Sequence, residues 1–156
     1  MTPAEDELLL RPAGIEDAPA VAAVHLASRR SAVRAGTMPP AAHPDAEALP
    51  WLRGRLATDE VWVAEVAGAV VAYLRLSGDW IDDLYVVPGQ AGRGIGTALL
   101  ELAKQLRPAG FGLWVFEINA PARRFYARHG LVEVERTDGS ENEERSPDIR
   151  VVWQPD

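Results

Sequence analysis

Cysteine is absent from this 156-residue chain, and lysine occurs once, at Lys104. Without thiols there is no disulfide, no thiolate zinc site and no cysteine nucleophile. No apolar run approaches the roughly 20 residues that a membrane helix needs. The opening TPAEDELLL is acidic where a signal peptide is basic, so a cytoplasmic protein with no membrane partner is expected. Positive charge is also scarce. The 16 Lys and Arg face 23 Asp and Glu, for a formal net charge of −7 and an isoelectric point near 5.0. Nucleic acid, whose phosphates need a basic surface, is therefore not an expected partner. A cationic small molecule or peptide suits an acidic protein better. His25 and His43 are far apart and lack HxxxH-type spacing, so no metal is expected. Arginine almost replaces lysine, and Ala, Gly and Pro abound, a coding bias that points to a GC-rich bacterial genome.

What is present is the composition of a soluble globular protein, 47% hydrophobic and 25% charged. The length favours one domain over residues 1–156. The most informative stretch is LYVVPGQAGRGIGTALLELAKQL, residues 84–106. An apolar run is stopped by Pro88, a glycine-rich loop follows, and Ile95, Ala98, Leu99, Leu102, Ala103 and Leu106 then fall at helical spacing. Strand, glycine turn and helix N-terminus in succession make an anion site, because the first helical amides point outward at the positive end of the dipole. Glycines let a pyrophosphate approach the backbone. The spacing excludes two phosphate loops. GxGxxG needs glycine at Leu99, and GxxxxGK[ST] needs a lysine that the loop lacks.

Elsewhere, residues 8–11 form a first strand, and Asp17 is an expected N-cap for a helix bearing Val21, Val24, His25 and Ser28 on one face. His25 is a partly buried structural histidine or a substrate contact; His43 is expected in solvent. A proline-rich loop, residues 36–50, leads into a second helix around residues 45–57. Residues 61–66 and 70–76 form an antiparallel hairpin. Further strands are expected at 80–87 and 112–118, a short helix from Asn119 to Gly130, and a final hairpin of 131–136 with 149–153.

The loop resembles the pyrophosphate loop of the GNAT N-acetyltransferases, R/Q-x-x-G-x-G/A after a strand ending in V-x-P. Gly94, Ile95 and Gly96 fill G-x-G, while the first position falls on Ala91, with Gln90 one residue early. NAPARRFYARHGLVEV, from Asn119, resembles a second signature of the family, N-x-x-A-x-x-F/L-Y-x-x-x-G-F/L. The resemblance implies an α/β (α+β) GNAT fold: one mixed, mostly antiparallel sheet with helices on both faces, in the order β-α-α-β-β-β-α-β-α-β-β. It implies acetyl-CoA as co-substrate, held by Leu84, Tyr85, Val86, Val87, Gln90, Ala91, Gly92, Arg93, Gly94, Ile95, Gly96, Thr97, Asn119, Ala122, Phe125 and Tyr126. Val86 and Val87 would offer backbone groups to pantetheine and the thioester. Tyr126 would be the acid at the CoA sulfur.

Acetyl transfer to an amine also needs a base, since an alkylammonium is no nucleophile. Asp82, Asp83 and Glu117 are the candidates, with water as another. Neighbours on a strand face opposite sides, and Asp82 shares parity with Leu84 and Val86, which favours it; a bulge common in this strand of the family would spoil the count. The expected reaction is direct transfer in a ternary complex to a primary amine, by a monomer or homodimer. Transfer of another acyl group, or a silent CoA-binding module, are the alternatives. The turn 137–148 carries a formal −4 and is expected to draw in a cationic substrate.

Overall fold

The computed structural model describes residues 7–156; the acidic residues up to Asp6 lie outside the described residues. Strand β1 (Leu8–Pro12) is followed by helices α1 (Ala18–Arg34) and α2 (Ala48–Thr58), then strands β2 (Glu60–Val66), β3 (Ala69–Ser77) and β4 (Trp80–Val86). Helix α3 (Ile95–Leu106), β5 (Phe111–Phe116), α4 (Ala120–Arg128), β6 (Val132–Arg136) and β7 (Asp148–Trp153) complete the chain. The strands make one sheet in the order β1-β2-β3-β4-β5-β7-β6, antiparallel except between β4 and β5.

Alternation along β3 builds a core on each face. Ala72, Leu74 and Leu76 pack with Leu99, Leu100 and Ala103 of α3, and Phe125 and Tyr126 of α4 lean on this side. Tyr73 points the other way, toward Val21 and Val24 of α1 and Leu52 and Leu56 of α2.

Local chemistry moved some boundaries. Asp17 precedes α1 but caps nothing in it: its carboxylate accepts the Gly14 amide at 2.9 Å and pairs with Arg11, which closes the 3₁₀ turn Ile15–Asp17 instead. A second 3₁₀ turn, Asp45–Glu47, opens the expected second helix. Strand β5 stops at Phe116, short of the predicted Ile118, because the Asn119 amide folds back onto the Phe116 carbonyl at 2.9 Å.

The β2–β3 turn puts Ala67 at φ 55° and Gly68 at φ 78°. Two left-handed residues suit the twist of a tight hairpin, but alanine there is strained by about 1 kcal/mol. Ala67→Asn, which restores the Asn-Gly pair such turns favour, is expected to raise the unfolding free energy by about 0.5–1 kcal/mol. Urea denaturation measures it, and an unchanged or lower midpoint refutes the assignment of strain to Ala67.

The β4–β5 junction positions the site. These parallel strands share a single register pair, Trp80 with Gly112. A Cβ at Gly112 would lie 2.5 Å from the Trp80 ring, so glycine lets the indole cross the strand there. Past this contact, β5 has its ladder with β7 and β4 its ladder with β3, leaving the facing edges apart.

Candidate active site

On the open edge of β4, backbone direction follows from the ladder. The Val87 amide donates to the Val71 carbonyl at 2.9 Å, so Val87 and Tyr85 bond toward β3, and Leu84 and Val86 turn their N–H and C=O groups toward the gap. The Val86 carbonyl there accepts the Ser28 hydroxyl of α1 at 3.1 Å. Of the two residues expected to offer backbone groups, Val87 spends its amide within the sheet, and Val86 directs its amide into the gap. A cleft of about 400 Å³ fills the gap, lined among others by Leu84, Tyr85, Val86, Asn119, Ala122 and Tyr126.

One end of this cleft meets the loop before α3. A 3₁₀ turn, Pro88–Gln90, leads to Gly92 and Gly94, both at φ 79°. The first i→i−4 bond of α3 runs from the Ala98 amide to the Gly94 carbonyl at 3.0 Å, so the Gly96 and Thr97 amides precede the helical ladder. A Cβ at Gly92 or Gly94 would meet nothing within 4 Å, which makes conformation, not crowding, the reason for glycine. The Gln90 side-chain Oε1 accepts from Arg93 at 2.9 Å, so both side chains are engaged within the loop. Ala91 adds only a methyl group.

Helix α4 closes the cleft from the other strand. Asn119 is its N-cap, accepting the Ala122 amide at 3.2 Å. Phe125 stacks edge-on against Tyr126, centroids 5.3 Å apart, and sits 3.5 Å from where a Cβ at Gly96 would be. Thr97 Oγ1 lies 3.2 Å from His129 Nε2, tying the start of α3 to the end of α4. Burial, with Tyr85 nearby, raises the Tyr126 phenol well above its ordinary value.

Across β4, toward α1 and α2, lies a second cavity of about 730 Å³. Its walls include His25, Arg29, Trp51, Asp83, Glu143 and Glu144; Arg29 and Asp83 also line the cleft, so the two spaces adjoin. The 8%-exposed Asp83 accepts the Tyr73 hydroxyl at 3.0 Å and Arg75 Nε at 2.8 Å. Tyr73 in turn lies 3.0 Å from His25 Nδ1. Burial and the Asp83 charge hold the Tyr73 phenol above its ordinary value, and the same two causes lift Tyr85 to about 12. Burial pulls His25 below the usual imidazole range.

The expected bulge falls in β4 at the aspartates. Arg75 pairs with Asp83 and Leu76 with Ile81, leaving Asp82 as the extra residue. Parity counting thus fails: Asp83, not Asp82, is the buried carboxylate shared by both spaces. Asp82 is exposed, bonded to the Ser77 hydroxyl, with Arg75 at 3.8 Å. Glu117 is exposed beyond the end of β5 and paired with Arg136 at 3.1 Å, and it lines neither space. The acidic turn is built rather than free. Asp148 holds Thr137 and Asn142, Asp138 accepts the Ser140 amide, Glu143 pairs with His43 at 3.0 Å, and Glu144 faces Arg29 at 3.9 Å. His43 is exposed, as expected, but paired. Sequence reasoning passed over Tyr73, Arg75 and Arg29. A lone arginine inside VVAYLRLS was the available signal, since a buried guanidinium needs an acidic partner.

A sheet split between parallel neighbours, a glycine turn at a helix start and a capped helix opposite define a GNAT-fold protein. The acetyltransferase (GNAT) domain matches residues 57–133 of the chain. It is 35% identical over 96 residues to an uncharacterized N-acetyltransferase of Archaeoglobus fulgidus, an alignment spanning 52% of this chain and 65% of that relative. A GCN5-related N-acetyltransferase from Rhodopseudomonas palustris has the same fold at 26% identity, with a TM-score of 0.75 over 94% of this chain and 95% of that one. The PaiA N-acetyltransferase of Thermoplasma acidophilum, solved in complex with coenzyme A, aligns with a TM-score of 0.68 at 19% identity, over 96% of this chain and 99% of that one. Among the described residues, no helix is long and apolar enough to cross a membrane.

Proposed function

We propose that the protein transfers the acetyl group of acetyl-CoA directly to the primary amine of a small molecule with an apolar body. The observation that carries this reading is the pair of adjoining spaces at β4. One is a strand-edged cleft ending at a helix N-terminus, which suits pantetheine and a pyrophosphate; the other is a separate cavity of acceptor size. Pantetheine would extend the sheet along the free edge of β4, a form of strand addition. The Val86 amide would polarise the thioester carbonyl as it becomes an oxyanion. As the nitrogen–carbon bond forms and the carbon–sulfur bond breaks, the Tyr126 hydroxyl would donate a hydrogen bond to the departing sulfur. Holding amine and thioester together supplies up to about 7–11 kcal/mol.

The cavity's apolar wall, including Trp51, and its five carboxylates against three arginines favour a monocationic amine over an anion. The proposed partner is thus a small cation, with Glu143 and Glu144 the members of the acidic turn placed to act on it. Calorimetric titration with acetyl-CoA, followed by free-thiol release in the presence of phenethylamine, spermidine or a lysine peptide, tests the reading. Micromolar binding with amine-dependent thiol release is expected, phenethylamine leading. Binding without release from any amine would leave a CoA-binding module, and no binding would refute the reading altogether.

A further inference from the structure

Building on the transferase reading, we infer that His25 of α1 is the base that takes the acceptor amine's proton, through Nε2 facing the acceptor cavity. The assignment begins with hydrogen-bond bookkeeping. Tyr73 has one hydroxyl proton, and it goes to Asp83 Oδ2, which also accepts from Arg75. The Tyr73 oxygen can therefore only accept from His25 Nδ1, 3.0 Å away. A neutral His25 thus carries its proton on Nδ1, leaving the lone pair on Nε2, which has no hydrogen-bond partner among the described residues.

Elimination points to the same atom. Each carboxylate lining the cavity faces a basic side chain: Asp45 has Arg30, Glu47 and Glu143 share His43, Glu144 faces Arg29, and Asp83 is held by Arg75. His43 is engaged through both ring nitrogens, and its titration is raised by Glu143. His25 is left as the proton acceptor in the wall without an acidic partner in contact; Arg34 also lines the cavity, but a guanidinium offers no acceptor. Position agrees as well. Ser28 and Arg29, three and four residues on along the same helix, line the cleft, so His25 lies one turn away, about 5.4 Å along the axis. A base there reaches an amine directly or through one water.

The groups around the ring set its titration. Tyr73 and Arg75 face it from β3, Asp83 and Tyr85 from β4, Arg29 from its own helix, Asp45 from the 3₁₀ turn before α2, and Trp51 from α2. Burial lowers the imidazole and outweighs Asp83, so His25 is neutral at pH 7 and ready to accept. The step balances: the ammonium nitrogen gives its proton to Nε2, forming imidazolium, and the freed lone pair attacks the acetyl carbon. The imidazolium then returns its proton to solvent through the cavity. Asp83 and Tyr73 are positioning residues that fix the tautomer and offset the charge formed on the ring.

The test uses the full-length protein with acetyl-CoA and phenethylamine. His25→Gln is expected to lower kcat about 10²–10⁴-fold at pH 7 and to lose the acid limb expected of the parent profile, with acetyl-CoA affinity unchanged. His25→Ala is expected to regain turnover with added imidazole, which a packing role would not allow. ¹⁵N-histidine spectra of the parent should show a neutral ring protonated on Nδ1, with its midpoint below the ordinary imidazole value. A His25→Gln protein with the parent's rate and acid limb overturns the assignment while leaving the transferase intact. So does a ring protonated on Nε2, or an alanine variant that imidazole does not rescue. A parent that binds acetyl-CoA but releases no thiol with any amine overturns both readings.

Discussion

Gly94→Asp is expected to weaken acetyl-CoA binding by at least about a hundredfold, or roughly 2.7 kcal/mol, while the protein stays folded. Gly94 sits at φ 79° and ψ 9° immediately before α3, and its carbonyl accepts the first helical bond. Room is no obstacle, since a Cβ there would meet nothing within 4 Å. Aspartate is among the residues that tolerate the left-handed conformation, and it caps helices well, so the fold loses little. Binding is another matter. A carboxylate at the positive end of α3 competes for the amides that a pyrophosphate would use, and it repels the ligand. Two like charges 4 Å apart cost about 1 kcal/mol in water and about 4 kcal/mol at an effective dielectric of 20. Gly94→Asn keeps the shape and removes the charge, so its loss of affinity should be clearly smaller. Calorimetry on both variants reads the difference, and an aspartate variant binding like the parent removes this loop from the cofactor site.

That loop was legible in the sequence because everything that shapes it is local. The apolar spacing of α3, the stop at Pro88 and the glycines at 92 and 94 are set within about one helix length. The Asn119 cap and Tyr126 behind it were readable for the same reason. What failed was long-range. Nothing in residues 80–87 announces that β4 meets β5 at one pair and then parts from it; that follows from which edges β3 and β7 occupy. The aspartates show how one extra residue defeats parity, because the shift between Asp83 and Ile81 opposite Arg75 and Leu76 puts Asp82 outside the alternation. The acidic turn fared similarly. Glu143 meets His43 across 100 residues of chain, so whether those charges were free or paired could not be read from their clustering. His25 is the sharpest case: a structural or substrate-contacting histidine was as much as its helix face allowed. The partner that fixes its tautomer is 48 residues away on β3.

Tyr126→Phe should lower kcat about 10²-fold, with the KM for acetyl-CoA nearly unchanged. Phenylalanine keeps the edge-on contact with Phe125, so packing is conserved and only the hydroxyl is removed. The size of the loss follows from proton affinities. An ordinary thiol has a pKa near ~8.5 and an ordinary phenol near ~10, and burial raises Tyr126 further. Complete transfer of its proton to the departing thiolate is therefore uphill. What Tyr126 can supply is a hydrogen bond that strengthens as charge grows on sulfur, and removing one such transition-state donor typically costs ~10²–10³-fold. This places the effect at the low end of the ~10²–10⁴ range for general acid catalysis. The sign of the pH dependence is a second check. A phenol raised above its ordinary value stays protonated from pH 6 to 9, so losing it should depress the whole profile without removing either limb, unlike the change expected for His25→Gln. Stopped-flow thiol release across that range measures both. Parental turnover in Tyr126→Phe, or loss of the basic limb, would mean that the hydroxyl is a packing feature or an ionising group instead of a neutral donor at the sulfur.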